Sequence, residues 1–369
     1  MKFDIPQWYD LHAHFRQGDI VPHLINDHAA MGCAGILAMP NTAPPIAKVH
    51  EADRGDHWSI EAYQAQLSKA GADQFQSVIV PLYLTQETTP QMIEAGAKSG
   101  MLTACKYYPP HGTTGAQFGA PLDTFINNGV FAAMEAAGII LCIHGEEHGL
   151  SGAEYFDQNH NAETRFYTQR MPQLAEKFPQ LKVVCEHITT RIAADFVNET
   201  PSNIAATITP QHLLYTVGHL LQGFKYHLFC LPLIKFEGDR EALRAAVTSA
   251  NNTQFFAGTD SAPHTNKLTE CGCAAGCYTG GIAPQLYAQG FEEAGCDLSS
   301  QEGQNIFTKF LSLNGPAFYG LPAATQSFTL AKQPQRVVKR EVGANTITPL
   351  PLGMAAQEQD ETTIPWSII

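Results

Sequence analysis

The segment Gly258-Thr259-Asp260-Ser261-Ala262-Pro263-His264 follows an apolar run, Gln254-Phe255-Phe256-Ala257. A carboxylate and a histidine therefore stand where a strand gives way to a loop, with Asp260 a candidate proton carrier beside a metal. One aspartate proves nothing, and the case rests on other side chains placed in the same way. In Asp10-Leu11-His12-Ala13-His14-Phe15-Arg16, alternate residues of an extended strand share a face, so His12, His14 and Arg16 should point together. Two imidazoles so placed can bind one ion at about 2.0–2.1 Å each. A single histidine beside an apolar strand is more often a hydrogen-bonded core residue; the pair with an arginine favours the metal. His144 in ILCIHGE and His187 in VVCEHITT also follow apolar residues and precede polar ones. Four imidazoles and a carboxylate suit zinc or a similar transition metal.

Lys106, in TACKYYPP, admits two readings. An ammonium has no lone pair and repels a metal, so it would cap the strand or pair with a carboxylate. Lysine also shifts its pKa readily when buried, and a neutral amine can take up carbon dioxide to give a carbamate, an anion able to bridge two metals.

Composition narrows the classes. The 369 residues carry 22 Lys+Arg against 35 Asp+Glu, a formal charge of -13, which makes sequence-independent binding to nucleic acid a poor expectation. No stretch approaches the roughly 20 apolar residues of a membrane helix, and the amino terminus has no apolar signal core. A soluble, cytoplasmic protein without membrane or nucleic-acid partners is expected. The 9 cysteines are odd in number, and Cys33, Cys105, Cys142, Cys185 and Cys230 lie in or beside apolar runs, so buried free thiols are expected.

Eight short apolar runs must position these groups: 8–14, 35–39, 77–84, 102–107, 138–144, 182–187, 227–233 and 254–258. Most are continuous rather than alternating, as in parallel strands buried on both faces. Segments 60–69, 90–97, 122–137, 166–177 and 240–249 have helical spacing, Thr88-Thr89 can cap the helix opened by Pro90, and 198–202 punctuates as a turn. Alternation of strand and helix predicts an α/β fold, and eight units predict a closed (β/α)8 TIM barrel. Residues 1–369 are read as a single domain, with 323–369 a C-terminal extension packed on it by Pro365-Trp366.

Taken in order, HAHFR, MPNTAPP, ACKYYP, IHGE, EHITT, ATITPQHL, CLPL, GTDSAPH and SLNGPAFYGLP resemble the shorter, single-enzyme type of bacterial dihydroorotase in the amidohydrolase superfamily. The resemblance runs from about residue 9 to about 321. It implies an amidohydrolase barrel with two zinc ions: His12 and His14 on the buried ion, His144 and His187 on the exposed one, carboxylated Lys106 bridging both, and Asp260 completing the buried site. It further implies a bridging hydroxide as nucleophile, with Asp260 relaying its proton. Arg16, Asn41 and His264 would hold the substrate carboxylate, backbone atoms near Leu231 and Ala274 the ring, and Thr113 and Thr114 would close over it. The implied reaction is reversible hydrolysis of the cyclic amide of L-dihydroorotate to N-carbamoyl-L-aspartate, a small anion, in de novo pyrimidine biosynthesis. By resemblance alone the chain is expected to pair as a homodimer. Ala13, Phe15 and a long Glu147–Ala162 segment depart from the family's usual pattern.

Two rivals share parts of this pattern. A hydantoinase or allantoinase has the same ligand order, against which ATITPQHL and GTDSAPH weigh; a silent scaffold barrel would be expected to have lost ligands. Cys271, Cys273 and Cys277 form either a third metal site or a glycine-rich substrate loop, and their spacing is unlike paired zinc-binding cysteines.

Overall fold

The computed structural model describes residues 1–270, 272–357 and 359–369. Seven of the eight barrel strands form where the apolar runs predict them. They are Trp8–Ala13, Cys33–Ala38, a third in two segments, Ser77–Ile79 and Leu82–Tyr83, then Ala104–Tyr107, Ile140–Ile143, Val183–Cys185 and Phe255–Ala257. The other is Ile204–Ile208, between Val183–Cys185 and Phe255–Ala257. Every pairing among them is parallel. This is the α/β barrel that the run count predicts.

One expected strand is wrong. Residues 227–233 form no strand; Tyr226–Leu228 is a 3-10 turn and the remainder runs irregularly. Pro232 has no N–H for a central ladder. The strand is supplied instead by Ile204–Ile208, whose small residues Ala205 and Ala206 are fully buried. Pro81 likewise divides the third strand: Ser77–Ile79 pairs with Cys33–Ala38, and Leu82–Tyr83 with Ala104–Tyr107.

Helices follow the predicted spacing closely, at Ile60–Lys69, Pro90–Ser99 and Glu237–Thr248. Thr89 Oγ1 accepts from Met92 N at 3.3 Å, the expected cap. The span 122–137 divides into Leu122–Asn127 and Val130–Ala137 because Gly129 takes φ 87° between them.

Apolar packing has two levels. Outer strand faces meet the helices in the main core. Inside the barrel Tyr9, Leu11, Leu37, Ile140, Val184 and Phe256 form a second cluster, against which Phe318, Tyr319 and Leu321 pack. This cluster fills one end of the barrel and leaves the other for polar residues. The tail strand Ser327–Ala331 pairs antiparallel with Lys2–Pro6 and with Ser367–Ile368. Trp366 is fully buried, edge-on to Phe3 at 6.1 Å, with Nε1 donating to Glu292 Oε2 at 2.9 Å.

The ring closes between its first and last strands through a few strong contacts. Asp260 N donates to His12 O at 2.8 Å and His14 N to Ser261 O at 3.0 Å. Beneath them the buried Asp10 carboxylate accepts from Thr259 N (3.0 Å), Thr259 Oγ1 (2.6 Å) and His28 Nε2 (3.1 Å).

Candidate active site

Four imidazoles line the open end in sequence. Ring centroids lie 5.6 Å apart for His14 and His12, 4.8 Å for His12 and His187, and 4.8 Å for His187 and His144. Asp260 completes one end of this row: Oδ1 lies 3.0 Å from His14 Nε2 and 3.5 Å from His12 Nε2. One donor atom from each of His12, His14 and Asp260 falls within 4.8 Å of the others, and all three are buried. Among the described residues no other group has that compactness.

Backbone conformation matters here as much as strand alternation. The first strand ends at Ala13, so His14 lies just beyond it and Arg16 is aimed by a turn rather than by the strand face. Arg16, His187 and Asp260 have φ of 56°, 40° and 47°, the left-handed region that non-glycine residues seldom adopt. Such residues cost about 1–3 kcal/mol each and persist where the surroundings hold them.

Orphaned donors point to what the site is built to hold. Lys106 is fully buried and its Nζ has no hydrogen-bond partner among the described residues; it lies 5.1 Å from the Tyr108 ring centroid. Burial lowers its pKa, opposed by the charges of Glu186 and Asp260. His14 Nδ1 and His187 Nδ1 are also buried and unpartnered. Desolvation lowers the His14 pKa to about 4 and drives His187 well below the ordinary range, the latter helped by neighbouring His12 and His144. These rings stay neutral, the state in which an imidazole can bind a metal. Burial would raise the Asp260 carboxyl, but its neighbours, the His14 hydrogen bond first among them, outweigh burial and hold it at about 2. Clustered imidazoles, an ionised carboxylate and a buried amine whose pKa is lowered together fit a metal centre.

Two of these rings are held from behind. His12 Nδ1 contacts Glu186 Oε2 at 2.7 Å, leaving Nε2 for the centre. Thr207 Oγ1 donates to the same oxygen at 2.5 Å and accepts from His187 N at 2.7 Å. His144 Nε2 meets Glu146 Oε2 at 2.8 Å. Carboxylates behind ligand histidines fix tautomer and ring angle. Sequence reasoning assigned no role to Glu186, Thr207, Glu146 or Asp10, although each stood inside or beside a quoted motif; a carboxylate next to a strand-end histidine is the available signal.

The residues expected on the substrate side gather at the same mouth. Arg16, Asn41, Thr113, Thr114 and Leu231 line one pocket with His12, His14, His144, His187 and Asp260. Ala275 and Gly276 line it too, whereas the neighbouring Ala274 does not. Asn41 Nδ2 donates to Thr114 O at 2.9 Å, tying the threonine segment to the wall. His264 borders an outer cleft of about 760 Å³ that shares Arg16, Asn41 and Thr114 with the pocket. Its Nε2 lies 2.8 Å from Ala275 O and 3.3 Å from Arg16 Nη2. A carbonyl can only accept and a guanidinium only donate, so the shorter contact decides: Nε2–H donates to Ala275. Burial and the Arg16 charge lower the His264 pKa to about 3.

Cys271 lies outside the described residues, Cys277 is buried, and the Cys273 thiol lies 3.5 Å from Tyr226 O. The five thiols expected to be buried and free, Cys33, Cys105, Cys142, Cys185 and Cys230, are so. No helix among the described residues is long and apolar enough to cross a membrane.

No protein-family model matches the chain. Curated relatives do. The chain is 40% identical over 331 residues to a dihydroorotase of Pseudomonas syringae pv. syringae, covering 88% of this chain and 87% of that one. It is 39% identical over 351 residues to the Shewanella amazonensis dihydroorotase, covering 93% and 94%. The crystal structure of Saccharomyces cerevisiae dihydroorotase in complex with 5-fluoroorotic acid superposes with a TM-score of 0.83 at 26% identity, covering 100% of this chain and 98% of that one. With the barrel, the polar mouth and this likeness along nearly the whole length, the chain belongs to the dihydroorotase family, cyclic amidohydrolases of the amidohydrolase superfamily.

Proposed function

We propose that this chain is a two-zinc dihydroorotase that interconverts L-dihydroorotate and N-carbamoyl-L-aspartate in pyrimidine biosynthesis, in the cytoplasm, on one barrel domain with 323–369 as its extension. The observation that carries the reading is Lys106: a fully buried amine without a hydrogen-bond partner among the described residues, on the barrel that brings His12, His14, His144, His187 and Asp260 to one mouth. A carbamate on Nζ would turn the buried cation that repels metal into a bridging ligand. His12, His14 and Asp260 would hold the inner ion, and His144 and His187 the outer one. When bound, the ions lower the pKa of a shared water and polarise the amide carbonyl under attack.

The chain's own residues supply the remainder. Asp260, ionised through the neutral range, has Oδ1 beside His14, leaving Oδ2 to accept a proton and return it to the leaving amide nitrogen. Arg16 meets the substrate carboxylate with a planar fork that lysine cannot reproduce, aided by Asn41 and His264. Against a net charge of -13, attraction for an anion must come from these local groups. Thr113 and Thr114 close the pocket and exclude water. Two subunits are proposed by family likeness.

The test supplies L-dihydroorotate to the purified protein with and without a chelator. Ring opening that the chelator abolishes and zinc restores is expected. Turnover of hydantoins but not dihydroorotate would place the chain with the rival amidohydrolases.

A further inference from the structure

One buried cation near the pocket is not used by this chemistry. Lys267 is 7% exposed, and among the described residues no carboxylate pairs with it. Its Nζ donates to Phe229 O at 2.9 Å and also to Gly276 O. Those carbonyls belong to two separate stretches of backbone. One leads into Leu231 and the other contains Ala275 and Gly276, all three lining the pocket.

Further bonds repeat the link. Gly276 N donates to Phe229 O at 3.0 Å, and Ala274 N to the carbonyl of Lys267 itself at 2.8 Å. Gly276 has no room for a side chain to anchor it: a Cβ there would lie 2.6 Å from Ala262 Cβ and 2.9 Å from His264 Nε2, and its φ is 142°. The strip is pressed against the wall and held from outside. The backbone N–H groups of Leu231 and Ala275 donate to no partner among the described residues. Open N–H groups beside a pocket are a means of reading carbonyl oxygens on a ring.

We propose that Lys267 is a positioning residue for substrate recognition: its ammonium clamps the 229–231 and 274–276 backbone segments at the spacing that reads the ring. This rests on the dihydroorotase reading for the identity of the ring. An ammonium suits the task because its three donors can bond several carbonyls at once, and such charge-assisted bonds are the stronger kind.

The test compares wild type with Lys267→Met, which keeps length but loses charge and donors, and with Lys267→Gln, which keeps a donor. Orotate, a planar ring with the same carboxylate, is the probe, and its Kd is measured by calorimetry. Hydrogen exchange is followed in peptides covering 229–232 and 272–277, a readout that needs no turnover. Lys267→Met should weaken orotate roughly tenfold, with Gln intermediate. KM for dihydroorotate should rise with it, kcat should stay within about threefold, and faster exchange should be confined to those two segments. Orotate affinity within twofold of wild type in both variants would overturn the clamp. So would faster exchange that reaches the His12–His14 strand together with a matching loss of kcat. Failure of wild type to open dihydroorotate would sink the functional reading instead, leaving exchange to judge the clamp.

Discussion

His12 and Glu186 are 174 residues apart in the chain and meet at 2.7 Å, Nδ1 to Oε2, with both side chains shut off from solvent. The contact fixes which nitrogen of His12 faces Asp260. Glu186→Gln keeps the shape but removes the charge, so metal affinity should fall about 10–100-fold with the fold intact. Chelator competition followed by elemental analysis measures it; unchanged affinity would leave Glu186 a packing residue.

Arg16→Lys separates recognition from metal binding. Arg16 lines the pocket, and its Nε also donates to Pro263 O at 3.3 Å, a geometry an ammonium cannot copy. KM for dihydroorotate should rise by more than about tenfold while zinc content stays near wild type. Zinc lost in proportion to activity would contradict the assignment.

Thr113 and Thr114 line the pocket, Thr114 O accepting from Asn41, with Gly115 in the left-handed region at φ 77° immediately after them. Replacing both threonines by alanine should lower kcat by roughly one to two decades if closure completes the site. Steady-state kinetics decide it, and turnover at the wild-type rate would end the lid assignment.

Glu163 carries a pH dependence that can be isolated. Burial pushes its carboxyl up to about 7, although Lys235 at 3.8 Å and the donors of Thr189 pull the other way. A raised acid is a stabilising group in its protonated form. Its contribution is complete below the ordinary value of 4.5 and is lost as pH climbs through about 7, a swing of about 3 kcal/mol. Subtracting urea denaturation of Glu163→Gln from wild type between those limits should recover that slope. Parallel curves would show that Glu163 stays charged.

Trp366→Ala probes the tail. Deleting a fully buried indole that packs on Phe3 should cost about 3–5 kcal/mol in a chemical melt. A cost below about 1 kcal/mol would mean the tail contributes little to the body.

Much of this was readable beforehand because buried parallel strands and strand-end histidines leave local marks. Ile140–Ile143 followed by His144 needs no long-range information to be recognised. What escaped depended on distant partners. Ile204–Ile208 reads weakly because alanines replace branched residues, and it becomes a strand only between Val183–Cys185 and Phe255–Ala257. The run at 227–233 is apolar for a different reason, since Leu228 and Cys230 pack in a small cluster outside the sheet. Arg16 was assigned to the right mouth by the wrong geometry, because alternation cannot foresee a left-handed turn.

Asp10 has a consequence for assembly. His14 and Asp260 stand 246 residues apart, and the carboxylate beneath them unites the first and last barrel strands. A ribosome-bound nascent chain therefore cannot possess the cradle of His12, His14 and Asp260 until Asp260 has emerged, and capture of the proposed inner ion is expected only after that point. A fragment stopping short of Thr259 that nevertheless captured zinc as tightly as the full chain would refute that order.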